Sequence, residues 1–147
     1  MRVLPGATAE SVEIDGLGDE GPLALRYRFG RDADARLDLR LLPAELAARF
    51  ATLPERRTDL VVGMNDVVTL TVRVQYPPGR APAALPEPVT LSHANAHYSR
   101  SARRDGDAVI IERELTLRPY VVKPSDYGAF RRFVEGVDAA DVLTLGP

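Results

Sequence analysis

The stretch Val68-Thr69-Leu70-Thr71-Val72-Arg73-Val74-Gln75-Tyr76 decides how this chain is read. Val68, Leu70, Val72, Val74 and Tyr76 fall on one side of an extended backbone, and Thr69, Thr71, Arg73 and Gln75 on the other. Strict alternation of this kind marks a strand with one face on a core and one in water. The same period recurs outward in both directions. Leu23, Leu25, Tyr27 and Phe29 alternate with Ala24, Arg26 and Arg28; Leu37, Leu39 and Leu41 alternate with Asp38 and Arg40. Val109–Arg118 places Val109, Ile111, Leu115 and Leu117 on one face and Glu112, Glu114 and Arg118 on the other. Arg113 interrupts its apolar face, and is expected to run past its neighbours to the sheet edge. Shorter strands are expected at Ser11–Asp15, Leu60–Gly63, Val89–His93, Ala96–Arg103 and Val142–Leu145.

Turn chemistry separates these runs. Gly16-Leu17-Gly18, Gly30-Arg31-Asp32 and Arg104-Asp105-Gly106-Asp107 suit tight reversals, and Asp105-Gly106 between two alternating runs predicts a hairpin. Tyr76–Pro88 is rich in proline, which removes ladder donors, so it reads as an extended connection. Two segments carry helical spacing. Pro43–Leu53 has Leu46, Phe50 and Leu53 on one stripe. Ser125–Val137 has Tyr127, Phe130, Val134 and Val137 on another, widened by Phe133, with Ser125 as the expected cap. Many short strands and two helices predict a mainly β fold. The expectation is an antiparallel β-sandwich or open barrel, with a C-terminal amphipathic helix and one short additional helix.

With 147 residues the chain reads as one domain, 1–147. It has no cysteine, which removes a thiol nucleophile, a thiolate metal site and disulfides from consideration. Its 19 basic and 21 acidic residues give a net charge of −2, and the arginines are spread from Arg2 to Arg132. Phosphate-backbone binding needs clustered positive charge, so nucleic acid is not an expected partner. No apolar run approaches the roughly 20 residues of a membrane span.

Candidate chemistry is sparse. His93 and His97 are four apart, but in a strand that spacing is roughly 13 Å, too far for two imidazoles to share one ion. They read as solvent-exposed histidines at a strand end. Ser92 and His93 are neighbours in a strand and point to opposite faces. Glu112 and Glu114 share a face, expected to pair with Arg100 or Arg103 across the hairpin rather than to flank a glycosidic bond. Asp19/Glu20, Asp32/Asp34 and Asp138/Asp141 are further carboxylate pairs with no partner element in view. Gly16-Leu17-Gly18-Asp19-Glu20-Gly21 has the glycine spacing of a dinucleotide loop, but a strand follows it where a helix is needed. The reading is of a non-enzyme, with no catalytic, cofactor-binding or metal-binding residue and no cofactor.

One resemblance adds to this. The succession V-T-L-T-V-R-V-Q-Y-P-P-G (68–79), A-L-P-E-P-V (84–89) and a charged hairpin leads into S-D-Y-G-A-F-R-R-F (125–133). It resembles the C-terminal β domain of bacterial transglutaminase-like proteins, over roughly residues 55–140. Those proteins have an N-terminal β domain, a transglutaminase-like core and a C-terminal β domain. The resemblance implies a C-terminal accessory domain of a larger protein, with a structural or substrate-presenting role beside a transglutaminase- or protease-like core. It also implies an exported parent at the cell envelope or periplasm. The family's catalytic cysteine has no counterpart here, so no catalytic residue carries over. Pro77, Gly79, Pro86, Tyr127, Phe130, Arg131 and Phe133, which match the family pattern, read as turn formers and a helix face. The alternative reading is a stand-alone peptide- or glycan-binding β-sandwich using the loop Pro77–Pro88, whose preorganisation would favour binding.

Overall fold

The computed structural model describes residues 8–15, 24–30, 37–41 and 45–146. Among them are ten strands and two helices. The frame is a four-stranded antiparallel sheet of β5 (Asp66–Gln75), β6 (Val89–His93), β7 (Ala96–Asp105) and β8 (Ala108–Leu117), in the order β5-β8-β7-β6. The stretch that opens the sequence reading is β5, and all ten of its residues pair with β8, from Asp66↔Leu117 to Gln75↔Ala108. β7 and β8 meet at the two-residue turn Gly106-Asp107, where Gly106 takes φ +59°, a left-handed conformation that costs glycine nothing. β4 (Leu60–Val62) pairs with β9 (Tyr120–Val122). β4 runs into β5 and β9 leaves β8, so this pair prolongs the same ribbon.

One face of the sheet is covered in two halves. α2 (Tyr127–Ala140) and the short α1 (Leu46–Phe50) cover one, burying Tyr127, Phe130, Phe133, Val134 and Val137 against Ala96, Tyr98, Leu115 and Leu117. β3 (Leu37–Arg40) and β10 (Val142–Leu145), paired antiparallel, cover the other. There Leu39, Leu41, Leu143 and Leu145 pack on Val109 and Ile111. The result is a mainly β, antiparallel, sandwich-like fold with a C-terminal helix, as the alternation predicts, and no closed barrel forms among the described residues. β1 (Thr8–Asp15) and β2 (Ala24–Gly30) form a separate two-stranded hairpin.

Several boundaries differ from the sequence reading. The C-terminal helix starts at Tyr127 after Asp126 and runs on to Ala140, past Gly136. Ser125 does not cap it; its hydroxyl donates to the Asp126 carboxylate instead. Gly136 sits in mid-helix because the helix lies close on β6: a Cβ there would come 3.1 Å from Leu91 Cδ1. α1 is five residues rather than the eleven of Pro43–Leu53, of which 43 and 44 lie outside the described residues. β9 was not expected from the sequence; it is the three-residue partner of β4. The expected turns at 16–18 and 31–32 lie outside the described residues.

Phe130 is fully buried at the centre of the helix–sheet contact, edge-on to Phe50 and Tyr120. Phe130→Ala should lower stability by about 3–5 kcal/mol, read from denaturant unfolding midpoints. A loss below about 1 kcal/mol would mean that α2 is peripheral to the core.

Candidate functional site

The register of the sheet sorts the candidate side chains onto two faces. His93 pairs with Ala96 and His97 with Ser92 across the tight turn Ala94-Asn95. The histidines therefore lie on opposite faces. His93 is half-buried among aromatic rings on the covered face, with centroids 5.6 Å from Phe130, 6.0 Å from Tyr120 and 6.3 Å from Phe133. This corrects the expectation that both histidines sit in solvent: the alternation of β6 turns His93 inward with Val89 and Leu91. His97 is on the outer face, and its Nδ1 lies 3.0 Å from Ser92 Oγ. Sequence reasoning weighed Ser92 against its neighbour His93 and missed this cross-strand pair; a two-residue turn at 94–95 would have supplied the register. The pair lies on the sheet's open outer face. A serine nucleophile needs a base oriented by a third group and donors for an oxyanion, and no contact of that kind accompanies it among the described residues.

Glu112 and Glu114 are also on the outer face, beside Thr71 and Thr69 on β5 and Ser101 and Ser99 on β7. Glu112 lies 3.7 Å from Arg103, as the hairpin reading expects. Arg100 does not join them. It is on the covered face, 7% exposed, where its guanidinium donates to the carbonyls of Ala140 and Glu87.

The covered face also holds the residue whose placement departs furthest from expectation. Arg113 does not snorkel to an edge. Its side chain is 1% exposed and pairs with Asp141, itself 2% exposed. Nε donates to one carboxylate oxygen at 3.1 Å and Nη2 to the other at 2.7 Å. The Tyr98 hydroxyl donates to the same carboxylate at 2.8 Å, and the Arg113 guanidinium lies over the Tyr98 ring, 5.6 Å from its centroid. The backbone carbonyl of Asp141 accepts from Leu41 N–H at 2.8 Å. Asp138, read as its carboxylate partner, does different work. Its two oxygens accept from Leu46 N–H and Ala47 N–H at 2.9 and 2.8 Å, capping α1 from another element. α1 needs this because Glu45 before it supplies no side-chain cap. The pairs Asp19/Glu20 and Asp32/Asp34 and the glycine run 16–21 lie outside the described residues.

The proline-rich loop is anchored by Arg104, whose guanidinium donates to the carbonyl of Pro82. Gly79 N–H is held by the Asp107 carboxylate at 3.0 Å, with Gly79 at φ +71°. Between this loop and β10 lies an open groove of about 410 Å³, lined by Pro82, Ala83, Ala84, Leu85, Pro86, Thr144 and Gly146. No group of three or more His, Asp or Glu side chains able to hold a metal ion occurs among the described residues.

Residues 38–145 match the family described as a domain of unknown function with solved-structure structure, DUF3858. The chain belongs to this family. The DUF3858 match begins inside β3 and ends with β10, so it takes in the sheet, both helices and the buried ion pair, and leaves the β1–β2 hairpin outside. No curated protein and no solved structure matches the chain. No described helix of this DUF3858 chain is long and apolar enough to cross a membrane.

Removing one member of a buried ion pair strands the other charge, which costs about 3–5 kcal/mol. Arg113→Ala should destabilise the fold by that amount in denaturant unfolding. The double variant Arg113→Leu with Asp141→Leu should recover part of it, because no charge is then left buried alone.

Three phenols are held in their neutral form. Burial raises Tyr76 and takes Tyr120 up to about 12; it also raises Tyr98, where the Asp141 carboxylate adds to the effect. Unfolded, these groups ionise near 10. The stabilisation they give is therefore complete below pH 10 and is lost as pH rises towards 12 and beyond. An absorbance titration of phenolate should show these tyrosines ionising only as the fold is lost, with the denaturant midpoint falling over the same range. Full ionisation of all five tyrosines near pH 10 with the fold intact would contradict the burial.

Proposed function

We propose that this chain is a non-catalytic accessory β-sandwich domain that works beside a transglutaminase- or protease-like core, in a structural or substrate-presenting role. One observation carries the non-catalytic part. Arg100, Arg113 and Asp141, the buried charged residues among those described, are all committed to partners inside the fold. Buried charged groups left without structural partners are where enzymes keep their acids, bases and nucleophiles. Here they join sheet, helix and loop, and no solvent reaches the Arg113–Asp141 pair. The link to a transglutaminase-like core is supported by the sequence pattern of the proline-glycine turn, the charged hairpin and the closing helix.

A second reading is favoured by the groove beside Pro82–Pro86. Its volume falls in the range of ligand sites, about 300–1,000 Å³. Its lining mixes proline, alanine and leucine side chains with polar groups, Thr144 among them, and suits an extended peptide better than a sugar, since no aromatic ring offers a stacking face.

The purified chain should show no acyl-transfer, amidase or peptidase turnover with labelled peptide and amine substrates. Turnover lost in Ser92→Ala or His97→Ala would overturn the non-catalytic reading. Activity that appears only when a transglutaminase-like core is supplied would support the accessory role. Saturable binding of an extended peptide by the isolated chain, weakened by Leu85→Asp, would favour the groove reading instead.

A further inference from the structure

Two surfaces of this molecule are incomplete, and each offers what the other lacks. The first is the β1–β2 hairpin. Its register sets Val12 against Tyr27 and Ile14 against Leu25, and Tyr27 stacks on Phe29 at 6.1 Å, so one face is a continuous apolar strip. That strip is open to solvent: Val12 is 54% exposed, Ile14 49%, Leu25 46% and Tyr27 40%. A two-stranded ribbon alone is marginal in water and needs a further strand or a packed face. The second is the outer edge of β5. This ten-residue strand is bonded to β8 on one side and to no described strand on the other. A long open edge of this kind is a template for another strand. Its inward side chains Val68, Leu70, Val72 and Val74 are only half-buried.

We propose that the β1–β2 hairpin of one copy adds through β2 to the free β5 edge of a second copy, and that the exchange is reciprocal about a two-fold axis. β2 is the better strand for this, since β1 is broken by a register shift between Ala9 and Ser11. Matching the pleats puts Leu25, Tyr27 and Phe29 in line with Val68, Leu70, Val72 and Val74, on the side of the sheet where β3 and β10 pack. The same match puts Arg26 and Arg28 on the outer face beside Thr69 and Thr71. On β8, the next strand over, lie Glu112 and Glu114. β2 and β8 would then be roughly 10 Å apart, a gap that arginine and glutamate side chains span together. Arg28 and Glu114 form no ion pair among the described residues, so the contact joins an open cation to an open carboxylate.

Area argues for the reciprocal form. A hairpin of this length presents on the order of 400 Å², about half of the roughly 800 Å² per partner that a stable complex buries. In a two-fold exchange each copy gives one hairpin and receives another, which doubles the buried surface and closes the assembly. Within one chain β2 pairs with β1 and β5 with β8, and β2 and β5 are not paired with each other. The inference is independent of the accessory-domain proposal, since it concerns self-association and not activity.

The experiment uses the whole chain. Sedimentation velocity across a concentration series should give a dimer. Leu25→Lys with Tyr27→Lys should raise its dissociation constant at least about tenfold, a cost of 1.4 kcal/mol or more, while the denaturant midpoint measured at concentrations too low for the dimer stays that of the unsubstituted chain. The chain has no native cysteine, so single-cysteine variants report the pairing directly. A mixture of Arg28→Cys and Thr71→Cys chains should form a mixed disulfide dimer under mild oxidation, more readily than either alone. A monomer at all concentrations would overturn the proposal, and so would a dimer unaffected by the two lysines. A chain carrying both cysteines that closes an internal disulfide as a monomer would assign β5 to the hairpin of its own chain and also overturn it.

Discussion

The Asp141 carboxylate is where the two halves of this fold meet. It stands at the end of α2 and immediately before β10, so whatever fixes it fixes both the helix that covers one half of the sheet and the strand that covers the other. Arg113 reaches it from the middle of β8 and Tyr98 from β7, while its backbone carbonyl holds the residue after β3. The apolar clusters on either side are non-directional; leucine against isoleucine tolerates sliding. A bidentate guanidinium–carboxylate contact does not, because its two hydrogen bonds fix both angle and distance. An ion pair this deep is a doubtful source of net stability, since desolvating two charges offsets most of their attraction. Its value here is register: it sets the end of α2 at one point of the sheet.

Asp138 extends the same logic by one helical turn. Having placed the end of α2, the fold uses the next available carboxylate to cap α1, a helix too short to form by itself. Arg100 adds a third tie, from β7 to the Ala140 carbonyl at the end of α2 and to the Glu87 carbonyl in the loop before β6. The polar side chains of the covered face thus work as fasteners between elements remote in sequence.

This explains what the sequence made legible and what it withheld. Alternation located β5, β6 and β8 to within two residues, because each has one covered and one wet face. The stripe Tyr127, Phe130, Phe133, Val134, Val137 located α2 for the same reason. Arg113 was misread because the period gives the face but not the occupant opposite; Asp141 is 28 residues away, and only the completed fold brings it near. Asp138 was hidden in the same way, its amide partners lying more than 90 residues distant. His93 and His97 share the same parity, so both their separation onto opposite faces and the Ser92–His97 contact needed the length of the turn at Ala94-Asn95. The hairpin was read correctly as strands, yet periodicity cannot tell whether an apolar face has found its cover.

The pairing of β3 with β10 sets Leu37 against Leu145 and Arg40 against Val142, joining segments about a hundred residues apart. Such a contact closes a loop of about a hundred residues, among the costliest in entropy and the slowest to find. During synthesis β3 has no β10 to pair with until about a hundred further residues have been made. Through that interval Leu37, Leu39 and Leu41 belong to an unfinished sheet with an open edge. The β3–β10 pair is therefore completed late in the synthesis of this domain, and β3 is open to misassembly until β10 has been made.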